Sequence, residues 1–426
     1  MGFLHFLRTP PEVIGHLLAW GRETSLDQDQ LEKLQEKKLE KILDAASRTP
    51  FYGKMKLPSA GEFLENPGLV PFTMKPHLRD GPESFIPKGT DIRTLSYHQT
   101  SGSTGVPTRI YMGRDVAAYR VAVMLACDMS FGRKPFELYG RVHGFGFDES
   151  YILRKLGVFP KLFMSVLEPP EKNFQMLQKF RPRMLRGYPS AIHLLSKMNR
   201  ASETPLKLRS VVSVAEHATE EVKRAIGESF DCPVYNHYGS MEASSIARDC
   251  TENGSLHVDS HACLVEIVDE KGRPRKSGEG EIVVTPLFNT TMPLLRFRLG
   301  DLASWGNRCS CGRETPVLKG LSGRMDDCIV LPSGRTQPGK NFHLRYEELE
   351  HFFEYQVYQE ELEVITFYYV PVAGRIPDPV MNGIRQRISA QCLGEKVELR
   401  FEAVKSIPKG RTGKLRTVFS RVRTGL

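Results

Sequence analysis

The sequence lacks several features that define whole classes of protein. No apolar run approaches the length of a membrane span, and no segment matches the Walker phosphate loop, Gly-x4-Gly-Lys-Ser/Thr. The start, MGFLHFLRTPPEVIGHLLAW, lacks the charged-then-apolar order and the small-residue cleavage site of a secretory signal. Eight cysteines in 426 residues are too few for a disulfide scaffold. These absences predict a cytoplasmic protein that does not span a membrane.

The composition is that of a globular protein with more than one core. Hydrophobic residues make up 40% of the chain and charged residues 26%. A length of 426 residues predicts two or three domains. The formal net charge of +9 suits anionic ligands such as ATP and CoA, or nucleic acid. The aromatic and basic interleaving of single-strand binders is absent, however, and this argues against nucleic acid as a partner.

A dense run of hydroxyls and glycines, YHQTSGSTGVPT at 97–108, is the strongest local signal. Its glycines let backbone N–H groups approach an anion, its hydroxyls add donors, and Pro107 stiffens the exit. This pattern predicts a polyphosphate-binding loop. The alternative is a Ser/Gly-rich linker, against which the run is short and precedes a strand-like segment at 109–112.

Alternating strand and helix patterns over 90–245 predict an α/β fold with parallel strands. One unit ends its strand at Tyr188-Pro189, and another ends at Ala215-Glu216. Such strand ends carry ligand contacts in α/β proteins. Ser190 is predicted to be either a helix N-cap or a ligand contact, and the sequence does not separate the two.

Four residues form a candidate metal site. They are Cys250, His257, Cys309 and Cys311. A Cys₃His set is typical of structural zinc, with no position left open for catalysis. The alternative is a group of small buried thiols. His261 and Cys263 are the substitutes if one ligand is misassigned.

Two acidic residues are placed as nucleotide ligands would be. Glu242 follows a strand, and a single carboxylate is a common protein contribution to nucleotide-bound Mg²⁺. The alternative is a helix start at which Glu242 serves only the dipole. Asp301 follows Gly300 and is placed to accept hydrogen bonds from ribose hydroxyls, with a plain turn residue as the alternative.

Five motifs together resemble those of the adenylate-forming superfamily of acyl- and aryl-CoA ligases. They are Thr100–Gly105 with Pro107, Tyr238–Glu242, Gly300-Asp301, Gly323–Asp326 and Gly413-Lys414. A helix leading into PFY and VPFTMKPHLRD, at 27–80, is similar to the phenylacetate–CoA ligase branch, some members of which carry a similar Cys…His…Cys-x-Cys-Gly-Arg pattern. The chain departs at Leu299, where Thr is usual, and at Lys409, where Arg is frequent. The resemblance covers the chain from about residue 27 to the end.

The resemblance implies a role for each motif. Lys414 and Glu242 would be catalytic, with Glu242 also holding Mg²⁺, and Asp326 would be the hinge. The residues implied to bind ATP are Thr100, Ser101, Gly102, Ser103, Thr104, Gly105, Glu216, Tyr238, Gly239, Ser240, Asp301 and Arg324. Those implied to line the acyl pocket are His143, Phe145, Tyr188 and Pro189. The basic tail that carries Lys414 has a plainer alternative, a solvated surface segment.

The family architecture implies two unequal domains. The first, 1–322, is a large α/β adenylation domain with mixed or parallel sheets and a β-rich, zinc-containing part at about 246–322. Residues 323–328 form the hinge, and residues 329–426 form a small, mobile α+β lid.

The implied reaction is ATP-dependent activation of a carboxylic acid as an acyl-adenylate, followed by transfer to CoA. Its products are an acyl- or aryl-CoA, AMP and pyrophosphate. An aromatic acid and a homodimer follow from the resemblance alone. Within the superfamily, the acceptor is alternatively an amine or a carrier-protein thiol, or AMP transfer is the outcome, as in coenzyme F390 synthetase. A zinc-stabilised basic protein that binds nucleic acid is the alternative from another class. An inactive scaffold is a third, against which the intact Glu242, Asp301 and Lys414 argue.

Overall fold

The computed structural model describes residues 10–99, 108–144, 157–216, 218–321, 328–409 and 413–422. The elements and contacts described below all lie within these ranges. Among the helices they contain, none combines the length and apolarity needed to cross a bilayer.

Four helices precede the first strands. They are α1 (Pro10–Glu23), α2 (Gln28–Ser47), α3 (Ala60–Glu65) and α4 (Lys75–Asp80). Asp27 caps α2 by accepting from the Gln30 backbone N–H at 2.9 Å. Leu39 and Ile42 are buried at its apolar face, which confirms the predicted amphipathic helix.

One mixed sheet of eleven strands organises most of the chain. Its order is β10-β11-β12-β13-β9-β8-β7-β6-β5-β3-β4. The parallel half consists of β3 (Tyr139–His143), β4 (Lys161–Ser165), β5 (Met184–Gly187), β6 (Ser210–Val214) and β7 (Val234–Ser240). The predicted α/β class is confirmed.

The antiparallel half continues the same sheet. Its strands are β8 (Ser244–Asp249), β9 (Leu256–Val258), β10 (Cys263–Val268), β11 (Glu279–Pro286), β12 (Phe297–Trp305) and β13 (Val317–Lys319). Strands β10 and β11 form an antiparallel pair joined by residues 269–278. The β-rich part shares backbone hydrogen bonds with the parallel half through the antiparallel pair β7 and β8. It is therefore an extension of the main sheet.

Helix α5 (Arg114–Ser130) precedes the parallel strands. The helices that connect them are α6 (Pro170–Phe180), α7 (Pro189–Arg200) and α8 (Glu220–Phe230). A two-stranded ribbon, β1 (Ser96–Gln99) with β2 (Arg109–Met112), precedes α5. Thr219 caps α8 by accepting from the Val222 N–H at 3.4 Å. Tyr188 occupies the N-cap position of α7, so of the two alternatives for Ser190 the N-cap is wrong.

Residues 328–422 contain a second, smaller sheet. Its order is β18-β17-β16-β19, formed by β16 (Phe352–Glu361), β17 (Val364–Pro371), β18 (Glu398–Ala403) and β19 (Val418–Ser420). The small pair β14 (Ile329–Val330) and β15 (Thr336–Gln337) precedes it, as does α9 (Tyr346–Leu349). Helix α10 (Asp378–Gln391) packs Ile384 and Ile388 into the local core. We refer to residues 328–422 as the lid, and to the rest of the chain as the core.

Candidate active site and metal centre

A cleft of about 1680 Å³ lies between the core and the lid. Single-ligand sites are typically about 300–1,000 Å³, so this cleft has room for two substrates. Its walls include the carboxyl ends of the parallel strands, where α/β folds place their ligands. The cleft brings together Tyr188, Glu216, Tyr238, Asp301 and Lys414, which the sequence had placed in separate motifs.

His143 and Tyr188 meet at the ends of neighbouring strands. The Tyr188 hydroxyl lies 3.4 Å from His143 Nδ1, and the ring centroids are 4.4 Å apart. Lys414 of the lid projects its Nζ to 5.7 Å from the centre of the Tyr188 ring. The residues predicted to line the acyl pocket, His143, Tyr188 and Pro189, therefore share the cleft with the predicted catalytic lysine.

Tyr238 and Asp301 are joined directly. The Tyr238 hydroxyl donates a 2.7 Å hydrogen bond to Asp301 Oδ2. Gly300 has a φ of +76°, a backbone conformation that favours glycine, where the pairing of β12 with β11 shifts register. Asp301 lies within β12, so the turn alternative for this residue is wrong. Both side chains border the cleft. The Asp301 carboxylate therefore offers the cleft a hydrogen-bond acceptor, the kind of group that binds ribose hydroxyls.

Glu242 is buried on the cleft wall, in the turn between β7 and β8. No helix begins there, so the helix-dipole alternative is wrong. Arg120 of α5 donates to the Met241 carbonyl oxygen at 2.6 Å. Its guanidinium group also interacts electrostatically with the Glu242 carboxylate. Burial lowers the pKa of Arg120 to about 10, while the Glu242 charge acts in the opposite direction.

Gly239 and Ser240 lie at the end of β7 and also line the cleft. A β-carbon at Gly239 would overlap the Ser244 backbone carbonyl, which explains the glycine in this motif. Four further predictions fall outside the described residues. These are the phosphate loop Thr100–Gly105, Phe145 of the acyl pocket, Arg324 and the hinge residue Asp326.

Sequence reasoning missed a buried charge network beneath the cleft. Asp128 of α5 accepts from Arg186 Nη1 at 2.5 Å and from Arg133 Nη1 at 3.3 Å. Arg186 Nη2 also lies 2.7 Å from His237 Nδ1. Burial, with the neighbouring Arg186 charge, lowers the pKa of His237 to about 3, so the ring is neutral at pH 7. Arg186 and His237 border the cleft, and no short motif marks such a network.

Lys75 at the start of α4 is a second residue that sequence reasoning passed over. Its Nζ donates to the Leu299 carbonyl oxygen at 2.5 Å, so an ammonium group lies next to Gly300-Asp301 in strand β12. Lys75 lines the cleft as well. The segment 70–80 indicates only a family resemblance, and a lysine after Met74 carries no separate sequence signal.

The four predicted metal ligands converge. One ligand atom from each of Cys250, His257, Cys309 and Cys311 lies within 4.8 Å of every other. Cys250 directly follows β8, His257 belongs to β9, and the two remaining cysteines lie in the loop between β12 and β13. Strands β8 and β9 and the loop between β12 and β13 therefore meet at this cluster.

The donor set fits zinc. Cys311 Sγ is 3.4 Å from His257 Nε2, close to the ligand separation expected around tetrahedral zinc with bonds of about 2.0–2.3 Å. His257 Nδ1 lies 3.0 Å from the Thr315 hydroxyl, which orients the ring with Nε2 towards the thiols. The Asn253 side-chain amide donates to Cys309 Sγ at 3.0 Å, which favours a thiolate there.

The two substitute ligands lie elsewhere. Cys263 Sγ is buried 3.9 Å from the Ser245 carbonyl oxygen. The His261 ring packs edge-on against Trp20 at 4.2 Å between centroids. Neither belongs to the four-residue cluster. The sequence pattern therefore selected the set that the fold brings together.

The chain is similar to known proteins of one enzyme family. A model of the family described as AMP-binding enzyme matches residues 15–288. The chain is 29% identical to phenylacetate–coenzyme A ligase of Thermus thermophilus over 74% of its own length and 75% of the relative's. It is 28% identical to the Pseudomonas putida enzyme of the same name, with 70% of each chain covered. It is also similar to Protein CapK of Staphylococcus aureus, at 25% identity over 58% of this chain and 55% of that one.

The fold is shared with 2-hydroxyisobutyryl-CoA ligase. A structure of that protein in the postadenylation state superimposes with a TM-score of 0.73 at 20% identity, covering 94% of this chain and 91% of the other. Its thioesterification state gives a TM-score of 0.61 over the same shares of the two chains. The matched family model spans more than half of the sequence. The chain therefore belongs to the AMP-binding enzyme family.

Proposed function

We propose that this protein is an AMP-forming acid–thiol ligase that activates a carboxylic acid as an acyl-adenylate and transfers the acyl group to CoA. The observation that carries the proposal is the position of Lys414. Lys414 of the lid lies in the same cleft as Tyr188, Asp301 and Glu242. These three residues belong to separate sequence motifs at different strands of the core. The phenylacetate–CoA ligase names of the relatives support the CoA acceptor.

The first half-reaction joins the acid to AMP. A carboxylate oxygen attacks the α-phosphorus of ATP, the bond to the bridging oxygen breaks, and pyrophosphate leaves. Lys414 supplies positive charge where negative charge accumulates, which is the largest kind of contribution a fixed group makes in such transfers. Asp301 holds the ribose. The phosphate loop Thr100–Gly105 and Arg324 are proposed to bind ATP as well, on the basis of the sequence motifs.

Magnesium fits the cleft through Glu242. This buried carboxylate faces the cleft, and an oxygen ligand of this kind is what Mg²⁺ prefers. When bound with ATP, the ion neutralises phosphate charge. Glu242 would position the ion, and the Arg120 guanidinium interacts electrostatically with this carboxylate.

The second half-reaction transfers the acyl group. The sulfur of CoA attacks the acyl carbon, the mixed anhydride opens, and AMP leaves with its electron pair. We propose that the lid rotates about Asp326 between the two steps, so that Lys414 withdraws and one cleft serves both. The domain limits at 322 and 328 belong to this proposal, as does the cytoplasmic location.

An aromatic acid is the proposed substrate class. Support comes from the names of the relatives and from the ring of Tyr188 at the cleft. The zinc centre is proposed as structural, because its four protein ligands leave no open position. A homodimer is carried over from the family resemblance. An amine or a carrier-protein thiol in place of CoA is the remaining alternative, and AMP transfer to another acceptor is a further one.

The test is ATP–pyrophosphate exchange with a panel of aryl, arylacetic, amino and fatty acids. Exchange with an aryl or arylacetic acid would establish adenylation and the substrate class. CoA consumption in the presence of the same acid then separates thioester formation from the other acceptors. Failure of every acid to support exchange, with folded protein and bound zinc, would overturn the acyl-adenylate proposal for those acids.

Asp301→Asn is expected to raise the KM for ATP. The carboxylate accepts from ribose donors, and losing one charged hydrogen bond costs about 1.5–3 kcal/mol, or roughly 10- to 100-fold. The measurement is the ATP dependence of exchange. Asp269→Asn, in the exposed turn between β10 and β11, is the matched control and should leave this KM unchanged. An unchanged KM in Asp301→Asn would remove Asp301 from the nucleotide site.

A further inference from the structure

We propose that Glu216 is a positioning residue that fastens the lysine-bearing segment of the lid, 413–415, to the core for the adenylation half-reaction only. The inference rests on the proposed function and deepens it. It departs from the role that family resemblance implied for Glu216, contact with ATP. It is carried by the geometry around this one carboxylate.

The two oxygens of Glu216 accept from two different parts of the protein. Oε2 accepts from the backbone N–H of Ser190, in the first turn of α7, at 3.3 Å. Oε1 accepts from the backbone N–H of Leu415, in the lid, at 3.1 Å. A single half-buried side chain therefore bridges the core and the lid.

The bridge is attached directly beside the catalytic lysine. Leu415 follows Lys414 in the chain, and Ser190 lies two residues after Tyr188, whose ring is 5.7 Å from Lys414 Nζ. Fixing the Leu415 N–H thus fixes the peptide from which the lysine side chain extends. Misplacing a catalytic group by about 1 Å can cost 100-fold in rate.

The backbone before Glu216 is shaped to present it. Strand β6 ends at Val214, and Ala215 follows with a φ of +67°, a conformation that residues other than glycine seldom adopt. The Ser213 hydroxyl donates to the Glu216 carbonyl oxygen at 3.4 Å. Such local strain is found where the surrounding structure needs a particular side-chain direction.

The charge of Glu216 is matched to the closed lid. Burial raises the pKa of Glu216, whereas the Ser190 hydrogen bonds, the Lys414 ammonium and the Leu415 N–H favour the charged form. The arrival of the lid therefore supplies both a donor and a positive charge to the carboxylate. The contact between Glu216 and residues 414–415 therefore stabilises the position in which the lid closes on the core.

Other contacts hold the lid without touching the lysine segment. Lys197 of α7 donates to the Leu349 carbonyl oxygen at 2.6 Å, and the Arg224 guanidinium lies 3.5 Å from the centre of the Tyr346 ring. The Tyr346 hydroxyl also donates to Glu228. Glu228 offers a matched control, since it is a glutamate of the core that touches the lid away from residues 413–415.

The kinetic test separates the two half-reactions. The acid that supports exchange in the wild type, tried first as phenylacetate, is used for adenylation, and its chemically prepared acyl-adenylate is used for transfer to CoA. Glu216→Gln offers one acceptor where two N–H groups converge, so adenylation should fall about 10- to 100-fold. Transfer from the preformed adenylate should stay within about fivefold of wild type, and Glu228→Gln should change both rates by no more than about fivefold.

A purely structural role for Glu216 predicts something else. Loss of the Ser190 contact alone would disturb the start of α7 and lower both half-reactions together. Equal losses, or adenylation within about fivefold of wild type, would overturn the inference. Absence of exchange in the wild type with every acid is a different result, since it would sink the proposed function.

Hydrogen exchange of the unliganded protein provides a readout that needs no substrate. The Leu415 amide should exchange about 10-fold faster in Glu216→Gln and should be unchanged in Glu228→Gln. Unchanged protection of Leu415 in Glu216→Gln would contradict the inference, whatever the activity.

Gly413→Ala tests the same contact with a substitution in the lid and leaves the core sequence unchanged. Gly413 has a φ of +72°, and a β-carbon there would overlap the Val166 side chain. The variant should displace Leu415 from Glu216 and give the same split between the half-reactions. If Glu216→Gln fails to fold, Gly413→Ala decides: retained adenylation would overturn the inference.

Discussion

Lys414→Ala is expected to lower the rate of ATP–pyrophosphate exchange by about 10²–10³-fold, the usual cost of removing one preorganised group that stabilises transition-state charge. The structure places Lys414 Nζ in the cleft, 5.7 Å from the centre of the Tyr188 ring. Alanine leaves no cation there when the α-phosphate and the carboxylate approach each other. Transfer of the acyl group from a preformed adenylate to CoA should survive, because the proposed lid rotation withdraws the lysine for that step.

Lys409→Ala is the matched control for this experiment. Lys409 lies in the same basic tail, but its ammonium pairs with Glu354 of β16 at 2.5 Å, within the lid. Its loss should change exchange by no more than about fivefold. Equal losses in the two variants would indicate that the tail acts only through its overall charge. Full exchange in Lys414→Ala would remove this lysine from the reaction.

Loss of the proposed zinc centre is expected to have the second large effect, on stability. Cys309→Ser removes one of four ligands, and a structural zinc site contributes its binding free energy directly to folding. In a domain of the size proposed for 1–322, a net loss of about 4 kcal/mol would lower the Tm by about 6 °C. Bound zinc, measured by elemental analysis, should fall from one per chain towards zero. A strong chelator should reproduce the loss of stability in the wild type.

Cys263→Ser provides the comparison for the metal site. Cys263 is buried in the same antiparallel half of the sheet, but its thiol faces backbone carbonyls of Ser245 and Asp259. This variant should keep its zinc. Zinc retained in Cys309→Ser, with unchanged thermal stability, would show that the four side chains converge for another reason. Zinc lost from Cys263→Ser as well would point to a different ligand set.

The metal centre also shows why local prediction succeeded in this part of the chain. Cys309-Ser310-Cys311-Gly312 is a tight turn whose two thiols are neighbours in any fold, so half of the site was local. His257 and Cys250 flank a short reversal between β8 and β9. The sheet then only had to bring two local pairs together, through β9 pairing with β13.

Other features depended on the pairing of distant segments. The β-rich part at 246–322 reads as a separate unit in the sequence, because its strands alternate and end in turns. The structure joins it to the parallel half through β7 and β8. Hydrogen bonds at a sheet edge carry no sequence signature, so nothing local distinguishes an extended sheet from two adjacent ones.

What the sequence determined by itself was the identity of the chemical groups and their local backbone setting. It placed Lys414 after a glycine, Asp301 after Gly300, and Glu242 after Tyr238-Gly239-Ser240, and those short-range patterns were sufficient to predict the fold class and the family. Only the tertiary structure decided that Glu216 accepts from both Ser190 and Leu415, residues on opposite sides of the cleft. The reason is physical: a hydrogen bond between residues 199 positions apart depends on how two domains pack, and packing is a property of surfaces that no local pattern encodes.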